Sequence, residues 1–347
     1  MTETNQKIMD MILKNASVNE ISRETGLSNK QLFHRLNMLK IKGYNFSRKY
    51  YYNGEIVYKL QKGLEGEKEI SLITSPKDKE FKAVFISDLH ISNPDDRLDL
   101  LYAVYNFCIK EDIHVIINGG DLIDGLIGSK DKKFITIEEQ IEYALKIHPY
   151  DKNILNFICL GNHDYDALVK EGQNLETVLL NRRHDIVPLG YGMGILKIKN
   201  DQIVVQHPKT PTIVQKESVA TGIILTGHYH KSQTIFRGNT LNMYLGSLTD
   251  MNFSNFQDET LPGFVKATIE FNNGIFSLGT FENFVFADKI YKVNELNCEL
   301  FKGKDVNQSI VKYEEERIPY KEEKIKILEK RETGISQIEK FNKKYSK

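Results

Sequence analysis

The stretch AVFISDLH, residues 83–90, places a short apolar run directly before a group of polar side chains. Similar runs occur at HVIIN (114–118) and ILNFICL (154–160), and polar residues follow each of them. Aliphatic and β-branched runs of this length predict strands that are buried on both faces of a sheet. The stretches 97–110 and 135–147 predict helices between these strands. This order predicts a parallel sheet with right-handed crossovers.

Beyond about residue 190 the pattern changes to apolar runs separated by short turns. These runs are GILKIK, QIVVQ, GIILTG, TLNMYLG, GFVKATIEF and GIFSLGTF. They predict a second series of strands. Together the two halves predict an α/β (α+β) fold in which helices flank a central sandwich.

Five short polar motifs follow predicted strands. They are Ser87-Asp88-Leu89-His90, Gly120-Asp121-Leu122-Ile123-Asp124, Gly161-Asn162-His163-Asp164, Gln206-His207-Pro208 and Gly227-His228-Tyr229-His230. Ligand sites in α/β proteins form at the carboxyl ends of strands, so these motifs are expected to meet. Each motif alone is common, but the set supplies the carboxylates, amide and imidazoles that two adjacent divalent cations need. The glycines allow the backbone to approach the ions closely.

The motifs DLH, GDLID, GNHD, QHP and GHYH, in this order, resemble the calcineurin-like metallophosphoesterase family over about residues 82–250. The resemblance implies a four-layer αββα sandwich and a metal-dependent phosphoric ester hydrolase that binds two divalent metal ions. The implied ligands are Asp88, His90 and His230 for one ion, Asn162, His207 and His228 for the other, and Asp121 as the bridge.

The resemblance also implies catalytic roles for two neighbouring residues. His163 would lie near the leaving group, as a general acid or as a stabiliser of developing charge, and Asp164 would orient it. Asp124 would either support the site or cap a turn. A water activated by the two ions would attack phosphorus in line. Donors without thiolates favour Mn²⁺, although Fe, Zn and Ni would also be accepted.

Two features depart from the family pattern. Pro208 follows His207 where glycine is usual, which predicts a differently shaped loop. The Asp164 ending and the absence of Arg-Gly after the GDLID motif are unlike protein Ser/Thr phosphatases. They are closer to the phosphodiesterase and nuclease branches, which include the nuclease subunits of double-strand-break repair complexes.

Residues 1–60 predict three helices followed by a hairpin at Asn53-Gly54. This order is similar to a winged helix-turn-helix domain, which inserts one helix into a nucleic-acid groove. The segment has ten Lys and Arg against five Asp and Glu, a net charge of +5. The predicted nucleic-acid face consists of Lys30, Arg35, Lys40, Lys42, Arg48 and Lys49. The alternative is a protein-docking module with solvated lysines.

The predicted organisation is a winged-helix domain at 1–60, a linker at 61–80, a phosphoesterase domain at 81–290 and a charged C-terminal extension at 291–347. The linker contains one short predicted strand in ISLIT. The extension has a partial helical stripe, which predicts a solvated helix that rests on the body or contacts a partner.

The composition excludes several other classes of protein. Lys plus Arg equal Asp plus Glu at 47 each, so the net charge identifies no partner. Three scattered cysteines disfavour a disulfide framework and a thiolate zinc site. No stretch approaches roughly 18 uninterrupted apolar residues, so a soluble cytoplasmic protein without a membrane partner is predicted. No pattern indicates the oligomeric state.

The sequence is compatible with three functional hypotheses. The first is a phosphodiesterase or nuclease to which the winged helix delivers nucleic acid. The second is a phosphatase or (cyclic) nucleotide phosphodiesterase that uses the winged helix for docking. The third is a DNA-binding regulator with an inert phosphoesterase body, which the complete ligand set disfavours.

Overall fold

The structure, a computed structural model, describes residues 2–61, 70–127, 136–208, 222–237, 240–250 and 261–300, with short strands at 308–309 and 315–316. The helices are α1 (Glu3–Leu13), α2 (Val18–Thr25), α3 (Asn29–Ile41), α4 (Leu98–Lys110), α5 (Ile137–Ile147), α6 (Asn162–Glu171) and α7 (Leu175–Arg182). No helix among the described residues combines the length and the apolar composition needed to span a bilayer. The predicted C-terminal helix lies outside the described residues.

The first seven strands are β1 (Asn45–Tyr51), β2 (Ile56–Gln61), β3 (Ile70–Ile73), β4 (Glu80–Ile86), β5 (Val115–Asn118), β6 (Leu155–Leu160) and β7 (Ile186–Tyr191). The next five are β8 (Met193–Ile198), β9 (Asp201–Gln206), β10 (Ile223–Thr226), β11 (Gln233–Arg237) and β12 (Thr240–Tyr244). The last five are β13 (Gly263–Asn272), β14 (Ile275–Phe286), β15 (Ile290–Glu299), β16 (Gln308–Ser309) and β17 (Glu315–Glu316).

The strands form two sheets, which we call sheet A and sheet B. Sheet A has the order β11-β12-β10-β9-β8-β3-β1-β2, and sheet B has the order β16-β15-β14-β13-β4-β5-β6-β7, with β17 also paired to β15. β4 to β7 are parallel in sheet B, and β9, β10 and β12 are parallel in sheet A. The predicted α/β two-sheet sandwich is confirmed.

Alternation along the strands of sheet B separates two apolar cores. In β4, Phe81 and Phe85 belong to the core between the sheets, whereas Val84 belongs to the core under the helices. β6 repeats this arrangement, because Phe157 faces the first core and Ile158 the second. Successive strand residues point to opposite faces, so runs without polar residues are required where both faces are covered. These two cores hold the ends of the strands, and with them the polar motifs, in fixed positions.

The N-terminal segment contains the predicted three helices and hairpin. α2 begins at a capping box in which Ser17 and Glu20 bond each other's backbone N–H at 2.8 and 3.3 Å. It ends at Gly26, whose φ of 70° is the left-handed conformation that terminates helices. β1 and β2 pair across the predicted turn, where Gly54 has a φ of 82°. Local sequence signals therefore account for both ends of α2 and for the turn of the hairpin.

The hairpin is an integral part of sheet A. β1 pairs in parallel with β3, Tyr50 opposite Leu72, and β3 pairs in parallel with β8, Ile70 opposite Leu196. The Tyr50 ring also contacts Phe157 in the inter-sheet core at 5.8 Å. The hairpin therefore keeps a fixed position on the sandwich. The division at residues 60, 80 and 290 stays a prediction.

One face of α3 packs against the body of the protein. Asn29 donates a hydrogen bond to the Tyr150 hydroxyl at 2.9 Å, and Asn37 donates to the Asn181 carbonyl at 2.6 Å. Between them the Phe33 ring contacts His184 at 5.3 Å. Residues at this four-residue spacing share one helix face, so this face is covered and cannot insert into a nucleic-acid groove.

Acid is expected to destabilise the protein through His148 and His184. Burial, aided by the charge of Arg183, lowers the pKa of His148 to about 4, and burial lowers the pKa of His184 to about 4. In the unfolded chain these two histidines bind protons near pH 6.5. The free energy of unfolding should therefore fall as the pH drops from about 6.5 to 4, by up to about 3 kcal/mol for each histidine.

The measurement is urea unfolding of the metal-free protein between these pH values. His184→Gln should flatten the pH dependence, because glutamine binds no proton in either state. The exposed His34→Gln is the matched control for the substitution itself. Equal slopes for all three proteins would contradict the assignment.

Candidate metal centre

The carboxyl ends of the parallel strands in both sheets meet at one edge of the sandwich. The loops bond each other there, since the Asp88 N–H donates to the Gly120 carbonyl at 2.9 Å and the His90 N–H to the Asp121 carbonyl at 3.0 Å. This edge brings together all of the predicted ligands. They are Asp88 and His90 after β4, Asp121 after β5, Asn162 at the start of α6, His207 after β9, and His228 and His230 after β10.

Five of these residues have left-handed backbone conformations. The φ angles are 54° at Asp88, 42° at His90, 51° at Asp121, 82° at His228 and 55° at His230. A non-glycine residue costs on the order of 1 kcal/mol or more in this region, so the surrounding contacts must impose it. Such strain concentrates where backbone position serves a functional site.

Two glycines permit the close approach of the loops. A Cβ atom at Gly161 would lie 2.2 Å from the Asp121 Oδ1, and one at Gly227 would lie 2.3 Å from the Ser87 Oγ. Real Cβ atoms do not approach other atoms this closely, so any side chain at either position would displace a carboxylate or a loop. The glycines expected from the sequence are therefore needed for space at these positions.

The first donor group consists of Asp88, His90 and His230. The Nε2 atoms of the two histidines lie 3.3 Å apart, and the His230 Nε2 lies 3.2 Å from the Asp88 Oδ1. The second carboxylate oxygen of Asp88 accepts hydrogen bonds from the Ser87 hydroxyl and from the His228 N–H at 3.0 Å. Asp88 is thereby held so that Oδ1 faces the two imidazoles.

The second donor group is centred on the amide oxygen of Asn162. The His207 Nε2 lies 3.1 Å from this oxygen and the His228 Nδ1 lies 2.9 Å from it. The His207 Nδ1 faces the Gly119 carbonyl at 2.8 Å, which fixes the ring with Nε2 toward the site. Two imidazole nitrogens and one oxygen thus converge on a single point.

Asp121 lies between the two groups. Its Oδ2 is 2.9 Å from the His207 Nε2 and 3.8 Å from the His90 Nε2. Its Oδ1 accepts a hydrogen bond from the His163 N–H at 2.9 Å. One carboxylate therefore reaches donors of both groups.

The electrostatics of the cluster suit bound cations. Burial alone would raise the pKa of both carboxyl groups, but His230 holds the pKa of Asp88 well below its usual range, and His207 lowers that of Asp121 to about 2. Against the penalty of burial, Asp121 raises the pKa of His207 to about 10. Buried carboxylates that demand positive charge, with imidazoles converging on them, fit divalent metal ions. The described residues contain three groups able to hold a metal ion, Asp88/His90/His230, His90/Asp121/His163 and Asp121/His207/His228.

His163 lies beside the cluster with its orientation fixed by the backbone. Its Nδ1 faces the Asp124 carbonyl at 2.6 Å, and its ring contacts His90 edge-on at 4.6 Å. The Asp124 carboxylate lies 3.7 Å from the His90 Nδ1 and accepts a hydrogen bond from Asn93 at 2.9 Å. Asp124 therefore lies close to both imidazoles, and its supporting role stays a prediction.

The prediction that Asp164 orients His163 is wrong. The Asp164 carboxylate instead accepts hydrogen bonds from the backbone N–H groups of Gly161 at 2.9 Å, Leu122 at 3.1 Å and Ile123 at 3.0 Å. It is fully buried and clamps the loop after β5 to the start of α6. The physical reason is that three buried N–H groups need an acceptor, and the carboxylate is the group within reach.

Asp164→Ala is expected to lower the free energy of unfolding by about 3 kcal/mol or more, because it leaves three buried N–H groups without their acceptor. Asp164→Asn keeps one acceptor oxygen and should lose less. Urea unfolding of the metal-free protein measures both changes, and Asp10→Ala, at an exposed position in α1, is the control. An Asp164→Ala protein as stable as that control would show that the clamp contributes nothing.

The predicted basic face is only partly exposed. Lys30 and Lys42 are exposed, whereas Arg35, Lys40 and Lys49 are half-buried. Arg35 donates a hydrogen bond to Asn5 at 3.0 Å. Burial, followed by the charge of Arg48, lowers the pKa of Lys40 to about 8.

The assignment of Arg48 to an exposed face is wrong. The residue is 8% exposed and donates a hydrogen bond to the Leu180 carbonyl. Its guanidinium lies 5.3 Å from the Phe33 ring and 5.5 Å from the Tyr58 ring. Arg48 shares the buried face of β1 with Tyr50, two residues further along the strand. Its charge therefore stabilises the contact between α3, β2 and α7.

Three residues of the site were not predicted. Ser87 bonds Asp88 and adjoins it in the sequence, so its position was a usable signal. Asn93 bonds Asp124 across 31 residues, and no local pattern indicates that contact. Tyr229 separates two predicted ligand histidines and contacts the His228 ring at 5.5 Å.

Solved structures to which the chain is similar have low sequence identity. A novel archaeal phosphodiesterase is 13% identical, with a TM-score of 0.39 over 59% of this chain and 100% of that chain. Vps29 from Entamoeba histolytica, complexed with Zn²⁺, is 16% identical, with a TM-score of 0.36 over 63% and 99%. A predicted phosphoesterase from Streptococcus pneumoniae is 14% identical, with a TM-score of 0.32 over 63% and 98%. No curated protein matches the sequence.

A protein-family model identifies the family of the chain. The model described as calcineurin-like phosphoesterase matches residues 81–259, just over half of the 347 residues. This range contains both donor groups and His163. The chain therefore belongs to the calcineurin-like phosphoesterase family.

Proposed function

We propose that the chain is a phosphodiesterase or nuclease that acts on nucleic acid with a pair of divalent metal ions. The observation that carries this proposal is the position of Asp121, whose Oδ2 lies 2.9 Å from the His207 Nε2 and 3.8 Å from the His90 Nε2. One ion is assigned to Asp88, His90 and His230, the other to Asn162, His207 and His228, and Asp121 is assigned as the bridge. Mn²⁺ suits this mixed oxygen and nitrogen set, with Fe, Zn and Ni as competitors.

The ions and the residues of the centre have separate roles in the proposed reaction. When bound, the ions supply positive charge to the phosphoryl oxygens and lower the pKa of the attacking water. His163 faces the reaction with Nε2, because its Nδ1 is held by the Asp124 carbonyl at 2.6 Å. In the protonated form this Nε2 donates a hydrogen bond, and then a proton, to the leaving oxygen. Asp164 contributes indirectly, by fixing the loops that carry Asp121 and His163.

The nucleic-acid part of the proposal rests on the N-terminal segment. Residues 1–60 carry a net charge of +5, to which the buried Arg48 contributes one charge that nucleic acid cannot reach, and their hairpin is paired into sheet A. A basic segment with a fixed position can hold the backbone of a substrate at a constant distance from the centre. Because α3 packs on the body through Asn29, Phe33 and Asn37, we assign phosphate contacts to the exposed Lys30 and Lys42 instead of groove insertion.

The test of the basic segment is DNA binding as a function of salt concentration. Lys30→Glu combined with Lys42→Glu should weaken binding. It should also reduce the slope of log K against log salt concentration by the amount expected for about two phosphate contacts. The exposed Lys152→Glu, on the body, is the control for charge alone. A slope equal to that of the wild type would refute the proposed contacts and favour the docking role of this segment.

The test of the catalytic proposal compares bis-p-nitrophenyl phosphate with p-nitrophenyl phosphate, after chelation and after Mn²⁺ is added back. Metal-dependent turnover of the diester is the expected result. Turnover of the monoester alone would indicate a phosphatase. Turnover of neither would contradict catalysis and favour an inert body with a binding function.

A further inference from the structure

A series of aromatic rings leads outward from the second donor group. The His207 ring contacts His228 at 5.2 Å, His228 contacts Tyr229 at 5.5 Å, and Tyr229 contacts Tyr244 at 5.5 Å. Tyr229 belongs to the loop after β10, between two ligand histidines, and Tyr244 ends the neighbouring strand β12. Both tyrosines are half-buried, so each ring is partly open to solvent.

The ring contacts of Tyr229 differ from the parallel contact that a stacked nucleobase would make. The interplanar angles at Tyr229 are 82° to His228 and 76° to Tyr244. Both contacts are edge-to-face, and no ring of the described residues lies parallel to Tyr229. Aromatic side chains that present a face beside a phosphate site are the usual platforms on which nucleobases stack.

A second tyrosine pair near the site has a different role. Tyr165, on α6, contacts Tyr191 at 5.6 Å, and the Tyr191 hydroxyl bonds Asn174 and the Glu176 N–H at 3.4 Å each. These bonds tie the pair to the first turn of α7. The Tyr165 ring is therefore part of the packing between α6, β7 and α7. Tyr229 differs because its contacts lead to a ligand imidazole.

We propose that Tyr229, supported by Tyr244, is the platform for the base of the nucleotide whose phosphate occupies the metal centre. This inference rests on the proposed function and names its substrate class, a nucleotide unit with an unpaired base. Because Tyr229 adjoins His228 in the chain, the sugar of this nucleotide would connect a phosphate at the metal centre to a base on the Tyr229 ring. Because every base has a π face, the platform selects nucleotides over base-free phosphates without selecting a sequence.

The test is calorimetric binding to the Mn²⁺-loaded full chain. The probes are a thymidine 5′-methylenephosphonate, which has no ester bond to hydrolyse, and the same sugar phosphonate with hydrogen in place of the base. We expect the base to improve the affinity of the wild type about tenfold. Tyr229→Leu should remove most of this advantage, and Tyr229→Phe should keep it.

Controls separate stacking from folding and from catalysis. Tyr291→Leu, on β15, removes a tyrosine elsewhere and should keep the advantage of the base. Elemental analysis should find wild-type metal content in Tyr229→Leu. If that variant loses its metal, Tyr244→Leu takes its place and is expected to weaken base-dependent binding. Equal affinity of the wild type for both probes, or an undiminished advantage in Tyr229→Leu, would overturn the platform.

The same preparations distinguish this inference from the proposed function. Hydrolysis of bis-p-nitrophenyl phosphate without any advantage of the base would overturn the platform and leave the phosphodiesterase proposal standing. Base-dependent binding without hydrolysis would overturn the phosphodiesterase proposal and support the platform as part of a binding site.

Discussion

Asp121→Asn is expected to lower the turnover of a phosphodiester by about two to three orders of magnitude and to reduce the metal content of the chain. Asp121 is 1% exposed, and one of its oxygens lies within 4 Å of a nitrogen from each donor group, 2.9 Å from His207 and 3.8 Å from His90. Asparagine keeps the volume of the side chain but removes the negative charge that both ions would share. The surrounding imidazoles would then face a neutral amide.

Two measurements check this prediction, the value of kcat/KM on bis-p-nitrophenyl phosphate and the metal content by elemental analysis. Asp112→Asn is the matched control, because its side chain is 92% exposed and remote from the ligand set. This control should resemble the wild type in both measurements. Normal turnover with normal metal content in Asp121→Asn would exclude the bridging role.

His163→Asn is expected to keep both ions and to lose about two to four orders of magnitude in turnover. The Nδ1 of His163 is already engaged by the Asp124 carbonyl, so Nε2 is the nitrogen left for the leaving oxygen. The loss should be larger for a diester with an alkoxide leaving group, such as thymidine methyl phosphate, than for a p-nitrophenyl diester. A poor leaving group depends more on a proton donor, whereas p-nitrophenolate leaves without one.

The comparison of the two substrates separates three roles of His163. A loss that depends on the leaving group supports the general acid, and an equal loss on both substrates supports stabilisation of charge alone. Loss of metal would mean that His163 is a ligand, which its proximity to His90 and Asp121 allows. The exposed His34→Asn is the control and should keep both turnover and metal.

The sequence predicted those parts of the fold that depend on local patterns. The runs before Asp88, Asp121 and Asn162 are continuous because both faces of sheet B are covered, so their periodicity identified buried strands. The convergence of the motifs followed from the parallel direction of these strands. Ser17, Gly26 and Gly54 marked helix and turn boundaries for reasons of backbone chemistry alone.

The features that the sequence did not predict are contacts between residues far apart in the chain and backbone conformations that the assembled loops impose. The short strand β3 was expected, but its pairing with β8, which makes the hairpin part of sheet A, joins residues more than a hundred positions apart. The Asp164 carboxylate bonds Leu122 and Ile123 across about 40 residues, and nothing in the GNHD motif specifies those partners. The left-handed φ angles of the predicted ligands likewise result from the assembled loops.

The position of Arg48 is a different case, because the sequence did contain a signal. In a strand, residues two apart share a face, and Arg48 is two positions from Tyr50, whose ring is buried. Lys49 has the opposite, more exposed orientation. Counting basic residues without this alternation overestimated the charge available to nucleic acid.

The measurement that tests the central claim most directly is a titration of Mn²⁺ into the chelated full chain, with bound metal and diester hydrolysis followed on the same samples. We predict that two ions bind per chain and that hydrolysis requires both. We also predict that Asp121→Asn lowers metal binding and diester hydrolysis together. Full hydrolysis with one ion or none bound would contradict a centre in which Asp121 joins two metal sites.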